Sequence, residues 1–516
     1  MAQQANKFDA VVIGAGPGGL SAGIALARRG RRVLIAEKNA VPGGNCTSYR
    51  AGDYTFDLAV HQLSGIADGG MCARVLREYG VEGKVEFKRV DPFLAVQMPD
   101  RTYRVRAGRD AFRDELLKDF PEDRADIERM MAGLDDLKKD SLIAQRLLYG
   151  ANPVTTGLMA DTVDRRKRLT FPYTFATGLA LMMPFSADRM LRRWVRNPRL
   201  RAVVHASWIY LGLPPERISG VMQNIFLSMQ YTEGGYYPVG GSQVLADALA
   251  EAFRAAGGTL LLNSPVRRIL TDGGRAAGIE LADGTRHASG IVISNADSRH
   301  TYRDLLGAES APRRILRKLG RMSLSLGPFR VCLGLDYDVS KHGMENHEYI
   351  LFPGYDHGAT FSEMEKGRLS ALSLYSPTKL SPGLAPAGHS TLILTGMLPW
   401  NCEPDWRGRR EQLADEMVAV AERRLLPGLS KHIKVRKLLD PEDLNRLTNV
   451  SEGAMYGWAN TPWQVLMHRL SMISPVKGLY HAGHWTRLGT GVTTSIISGW
   501  MLVNGLEGSP LHRVRL

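Results

Sequence analysis

Cysteine is scarce in this chain of 516 residues. Cys46, Cys72, Cys332 and Cys402 stand far apart and form no CxxC pair. That pattern argues against a disulfide framework and against a zinc or other metal site, and it fits a reducing, cytoplasmic setting. No run of about 20 apolar residues occurs, so a spanning helix is not expected. Met1 to Asp9 is polar and lacks the charged head and cleavage site of a secretory signal. Internal repeats and low-complexity tracts are absent too. No hydrolase site built on serine, cysteine or a metal is visible.

Glycine and positive charge are what the chain has in excess. Glycine occupies 54 of 516 positions, above the usual ~7%, which implies many tight turns or close backbone approaches. Hydrophobic residues at 44% and charged residues at 23% are ordinary for a globular protein. The length calls for two or three domains. Lysine and arginine number 66 against 52 acidic residues, a net charge of +14. Such an excess serves solubility, and it also attracts an anionic surface.

The glycines cluster first near the N-terminus. Phe8 to Ile13 is a short apolar run with the length and β-branching of a buried parallel strand. Gly14, Gly16, Gly18 and Gly19 come next in GAGPGG, and then a small-residue helix beginning at Leu20. Gly14 permits the tight turn, Gly16 the approach of backbone to a pyrophosphate, and Gly19 and Gly23 close packing of helix on strand. The helix N-terminus presents free N–H groups to phosphates. A second strand, Arg32 to Ala36, ends at Glu37, about twenty residues on, where a carboxylate can accept hydrogen bonds from a ribose. Strand, turn, helix, strand and acid in register predict a dinucleotide-binding unit.

The next twenty residues narrow the choice of nucleotide. Glu37 and Lys38 lead to Pro42-Gly43-Gly44-Asn45, and then to Tyr54-Thr55-Phe56-Asp57. Adjacent glycines let a loop run against a cofactor without side-chain clash. This E-K-x-x-x-P-G-G run with Y-T-F-D resembles the flavin-dependent carotenoid desaturases, carotene cis-trans isomerases and retinol saturases, within the amine-oxidase-like flavoproteins. Many relatives carry arginine after the glycine pair; Asn45 resembles the isomerase and saturase branch. Two later blocks share the resemblance. One runs from Gly234 through Gly240-Gly241-Ser242 into a helix, and then through Val266 to Asn295. The other holds Gly483, His484, Gly491, Val492 and Thr493 ahead of a C-terminal helix. In relatives the residue at Val266 meets the adenine through its backbone, and a small or acidic residue often stands at His484.

The resemblance implies an α/β protein. It has a discontinuous Rossmann-like FAD-binding domain over 1–70, 225–300 and 475–516. A mixed-sheet substrate domain spans 71–224 and 301–474, with a helical, membrane-associating part at 160–203. A meander is expected from Phe329 to Leu335, Tyr349 to Phe352, Arg368 to Tyr375 and Ser390 to Met397. FAD is expected to bind noncovalently, because no SGGCY-like attachment site occurs near the C-terminus.

Leu169 to Phe185 contains no charge, and arginines and a lysine flank it at 165–168 and at Arg189, Arg192, Arg193 and Arg196. Two prolines and the length fit a monotopic dip better than a span, with arginines on lipid phosphates. A core helix pair with a solvated basic rim is the plainer alternative. No nucleic-acid module is recognised, and the oligomeric state is left open. The implied substrate is an apolar polyene reached from an anionic membrane surface.

Few titratable residues fall near the expected flavin. His61, four residues past Phe56-Asp57, resembles a retinol saturase position and is the first candidate for proton donation; Glu233 is the second. Desaturation, saturation and isomerisation stay open at this level. So do a soluble flavin oxidase acting on an amine or natural-product scaffold and a flavin-binding protein without catalysis.

Overall fold

The structure, a computed structural model, describes residues 6–148 and 183–508, with side chains described up to Leu137 in the first stretch. The uncharged run therefore lies outside the described residues, apart from its last three positions. No helix among the described residues is long and apolar enough to cross a membrane.

A parallel five-stranded sheet carries the glycine motif. Its order is Thr259–Leu261, Val33–Ala36, Ala10–Ile13, Val292–Ser294 and Leu479–His481. The three central strands are buried at every residue, the pattern of strands covered on both faces. Alternation sorts their side chains. Ala10, Val12, Val33 and Ile35 face helices Pro17–Ala27, Ser242–Ala255 and Val492–Gly508. Val11, Ile13, Leu34 and Ala36 face the opposite way, toward Ile269, Ile279 and Leu281. These last belong to a four-stranded sheet of Asn6–Lys7, Arg286–Ala288, Arg275–Leu281 and Val266–Asp272. Helix Pro17–Ala27 is buried along its whole length, with proline at its first position. Gly499 lets the C-terminal helix reach it: a Cβ there would lie 2.3 Å from the carbonyl oxygen of Gly18.

The second large sheet has seven strands, in the order Ile433–Leu439, Gly327–Leu335, Ser390–Leu398, Leu372–Tyr375, Glu348–Leu351, Leu94–Gln97 and Thr102–Val105. All neighbours are antiparallel except Glu348–Leu351 with Leu94–Gln97. The expected meander holds for its last three strands only. Gly327–Leu335 pairs with Ser390–Leu398 and Ile433–Leu439, not with Glu348–Leu351. Burial explains the difference. All nine residues of Gly327–Leu335 are buried, so its backbone groups need partners on both sides. Helices Arg109–Asp119, Pro198–His205 and Gly220–Glu233 add an apolar layer around the fully buried Trp208. A short strand pair, Phe87–Val90 with Gly235–Pro238, ties residues of the two parts together.

Candidate functional site

A long cavity begins at the carboxyl ends of the parallel strands and runs toward helix Gly220–Glu233. Its first half is built by the glycine turn. Gly14 has φ +90°, a conformation only glycine adopts without strain. Asn295, just past strand Val292–Ser294, fills the inside of the turn. A Cβ on Gly16 would lie 2.5 Å from its Nδ2, and one on Gly18 2.6 Å from its Oδ1. A Cβ on Gly483 would lie 2.5 Å from the same Oδ1. Part of the glycine requirement is therefore internal: three glycines make room for an asparagine as well as for a ligand. Gly19 is tighter still, since a Cβ there would lie 2.1 Å from the carbonyl oxygen of Gly14.

Glu37 is buried on the cavity wall. Its carboxylate accepts the N–H of Ala15 at 2.7 Å and of Asn39 at 2.9 Å. Burial raises its pKa, and these N–H groups and the Lys38 charge only partly oppose that. Lys38 donates to the Arg446 carbonyl at 2.7 Å and to Asn449 Oδ1 at 2.6 Å, so the ammonium fastens the loop at 446–449 beside the cavity. Gly44, Asn45 and Val266 complete this wall. Gly43, at φ +125°, stands behind it, donating its N–H to the Ala15 carbonyl at 2.9 Å. Gly18, Gly19 and Gly483 also stand behind the wall, where they set its shape.

At the opposite wall, Gly491, Val492 and Thr493 open the helix Val492–Gly508 toward the cavity, an N-terminus suited to a negative group. His484 lies beside them, and burial lowers its pKa to about 4. Asp297, which sequence reasoning passed over, also lines the cavity; its carboxylate receives the N–H groups of Arg299 and Ser451, and burial raises its pKa.

The second half of the cavity is apolar and aromatic. Phe93, Leu211, Phe226, Met229 and Met455 line it, with Tyr210 and Tyr456. His61 lies between the halves. The His61 ring stacks on Tyr375 at 4.0 Å. Its Nε2 meets the Arg330 guanidinium at 2.9 Å, and its Nδ1 meets Glu348 Oε1 at 2.9 Å. Arginine only donates, so Nε2 accepts and Nδ1–H donates to the carboxylate. This assigns a neutral imidazole with both nitrogens engaged. Burial lowers its pKa, aided by the Arg330 charge and opposed by Glu348. Burial raises Glu348, but His61 and Ser373 more than offset it, and the carboxyl stays below its ordinary range. Arg330, fully buried, also donates to the carbonyls of Leu58 at 2.8 Å and Ala59 at 3.3 Å.

Sequence reasoning missed Arg330 and Glu348. A signal existed for the first: Arg330 is the one charge in the apolar run Phe329 to Leu335. Glu233 does not reach the cavity wall. Its Oε2 accepts the Gly65 N–H at 3.0 Å, which fixes the loop after His61.

The walls fit FAD. The glycine turn and two helix N-termini border the space phosphates would fill, and Glu37 lies on the wall a ribose would meet. Asn45 Oδ1 and His484 Nε2 are buried beside the cavity with no protein partner, as atoms awaiting a polar ligand are. Replacing Gly19 with alanine tests the turn. The clash is with backbone, which cannot swing aside, so a loss of about 1–3 kcal/mol is expected, with flavin absorbance per chain well below wild type. A purified Gly19→Ala chain with full flavin content and unchanged urea midpoint would refute the geometry.

The family described as flavin containing amine oxidoreductase matches residues 17–504. Among curated relatives, prolycopene isomerase 2, chloroplastic, of an Oncidium hybrid cultivar is 28% identical over 522 residues, covering 97% of this chain and 84% of the relative. Phytoene desaturase (neurosporene-forming) of Rhodobacter capsulatus is 27% identical over 521 residues, covering 97% and 94%. Among solved structures, an oxidoreductase from Methanosarcina mazei aligns with TM-score 0.63 at 19% identity, covering 96% of this chain and 98% of that one. Putrescine oxidase bound to putrescine aligns with TM-score 0.62 at 16% identity, covering 98% and 99%.

Proposed function

The chain belongs to the flavin-containing amine oxidoreductase family, and we propose that within it the protein acts on C–C or C=C bonds of an apolar polyene of the carotenoid or retinoid kind. One observation carries the reading: the dinucleotide half of the cavity opens into an arm of phenylalanine, leucine and methionine, the lining a hydrocarbon needs. The curated relatives named as prolycopene isomerases and phytoene desaturases support it.

Gly14, Gly16, Glu37, Lys38, Gly44, Asn45, Val266, Asn295, His484, Gly491, Val492 and Thr493 would hold FAD, with Gly18, Gly19, Gly43 and Gly483 shaping the walls from behind. Bound there, FAD supplies hydride acceptance or return at N5 of its ring. The protein's share is to bury the reacting carbons, exclude water and fix their distance. His61 serves this as a positioning residue, since its Nε2 already accepts from Arg330 and its Nδ1–H from there reaches only Glu348. Donating a proton to substrate would first require the guanidinium to withdraw. Glu233 acts one step further out, through the Gly65 loop. The substrate arm is assigned mainly to 71–224 and 301–474, joined by Phe226 and Met229 of helix Gly220–Glu233, with 160–203 as the proposed membrane-associating segment.

A second reading, oxidation of an amine, draws on Tyr210 and Tyr456, which both line the arm as an aromatic pair able to face a cation. Anaerobic mixing separates the two. Polyenes dispersed in detergent should bleach the oxidised flavin, or recolour the prereduced one. Bleaching by amines with no response to any polyene would transfer the protein to the second reading.

A further inference from the structure

Helix Arg313–Arg321, RRILRKLGR, divides sharply by face. Leu319 is buried and, with Ile315 and Leu316, joins the apolar cluster under the parallel sheet. Arg313, Arg314, Arg317 and Arg321 are exposed. Elsewhere exposed arginines such as Arg77, Arg217 and Arg286 find carboxylates; among the described residues, no ion pair is formed by these four. Arg314, Arg317, Lys318 and Arg321 line one open depression with Trp463 and His468, and no acidic side chain lines it.

An apolar feature adjoins this charge. Trp463 is 66% exposed and Ile473 is 53% exposed, two of only three large hydrophobic side chains so exposed among the described residues. The Trp463 ring meets His468 edge-on at 5.8 Å. Leu466, between Trp463 and His468, packs with Met183 against Val221.

We propose that helix Arg313–Arg321, with Trp463, is a docking surface for an anionic lipid bilayer. Charge complementarity selects the partner. Unpaired cations repel one another until a plane of phosphates faces them, and basic residues beside a lone exposed tryptophan match the headgroup boundary. A free anion would leave Trp463 in water, whereas a headgroup boundary covers it. The inference rests on the lipid-borne substrate proposed above, since docking would bring the apolar arm to its supply. The arginines noted in the sequence contribute less here than their number suggests: Arg192 pairs with Asp188, and Arg196 with Asp126.

The test uses the full FAD-loaded chain and vesicles of phosphatidylcholine with or without phosphatidylserine. Wild type should sediment with the anionic vesicles at low salt and be released at high salt. Arg314→Gln/Arg317→Gln/Arg321→Gln should lower the partition coefficient about 100-fold, and Trp463→Ser should weaken it further. The triple variant should still bleach or recolour with detergent-dispersed polyene, so loss of docking and loss of the proposed chemistry are read separately. A triple variant that sediments like wild type, while Arg192→Gln/Arg193→Gln is released, would overturn the assignment of this face. Wild-type binding abolished by low inorganic phosphate, or matched by an RNA of equal charge, would overturn the bilayer as partner.

Discussion

Lowering the pH from about 7 to about 5 is expected to remove most of the protein's stability. Four histidines away from the FAD cavity carry the effect. Burial lowers His205 to about 3, and His347, His357 and His481 to about 4. Each is nearly inaccessible to solvent. In the unfolded chain they titrate near 6.5. Between the two values the unfolded state binds more protons, so stability is full above about pH 6.5 and falls as the pH drops toward 4. At pH 5 each histidine costs about 2 kcal/mol, on the order of 8 kcal/mol together, against a usual total of about 5–15. Glu37, Asp119, Glu216, Asp297 and Asp440 work in the opposite sense, because burial raises their pKa values and they gain stability as they protonate. The histidines still set the direction, because their unfolded value of about 6.5 lies inside this window while unfolded carboxyls titrate at about 4, below it. Thermal unfolding of the FAD-loaded chain should show a falling midpoint across this window, with a shallower slope in His205→Gln/His357→Gln. A midpoint that stays level from pH 7 to pH 5 would mean these rings are not held neutral.

The cavity's first half was legible in the sequence because its rules are local. A turn with positive φ, an approach to phosphate and a carboxylate at a strand end all arise from residues within about thirty positions. The role of Asn295 was less legible. It could be placed near the nucleotide, but not inside the glycine turn, where it meets Gly16, Gly18 and Gly483 at once. The second half was hidden for a simple reason. His61 meets Arg330 across 269 residues and Glu348 across 287, and those meetings depend on strand order in the seven-stranded sheet. That order departs from chain order at Gly327–Leu335, the strand that carries Arg330. A meander drawn from hydrophobic runs alone could not bring Arg330 and Glu348 to opposite sides of one imidazole. Glu233 shows a different limit: nearness to a glycine pair in sequence suggested a site, and the fold adds that its carboxylate accepts the Gly65 amide.

Truncating Glu348 to alanine is expected to destabilise the protein by about 3–5 kcal/mol, because it strips the buried His61 Nδ1–H and Ser373 hydroxyl of their acceptor and takes a carboxylate from the cluster around Arg330. The arrangement of charges predicts this size. Arg330 and Glu348 are both fully buried and are bridged by a neutral His61, with the buried Asp57 carboxylate also within electrostatic reach of the imidazole. Removing both charges is a different experiment. Arg330→Met/Glu348→Leu keeps bulk and discards the desolvation cost, so most of the stability should return. Function should not return with it. Without the guanidinium, the carbonyls of Leu58 and Ala59 lose their donor, the loop carrying His61 is freed, and the flavin spectrum and its rate of bleaching should change. Urea denaturation of the single and double variants, each with its visible spectrum, tests both halves. A Glu348→Ala chain within about 1 kcal/mol of wild type would show that the cluster does not depend on this carboxylate. A double variant with wild-type bleaching would show that the loop needs neither charge to hold its place.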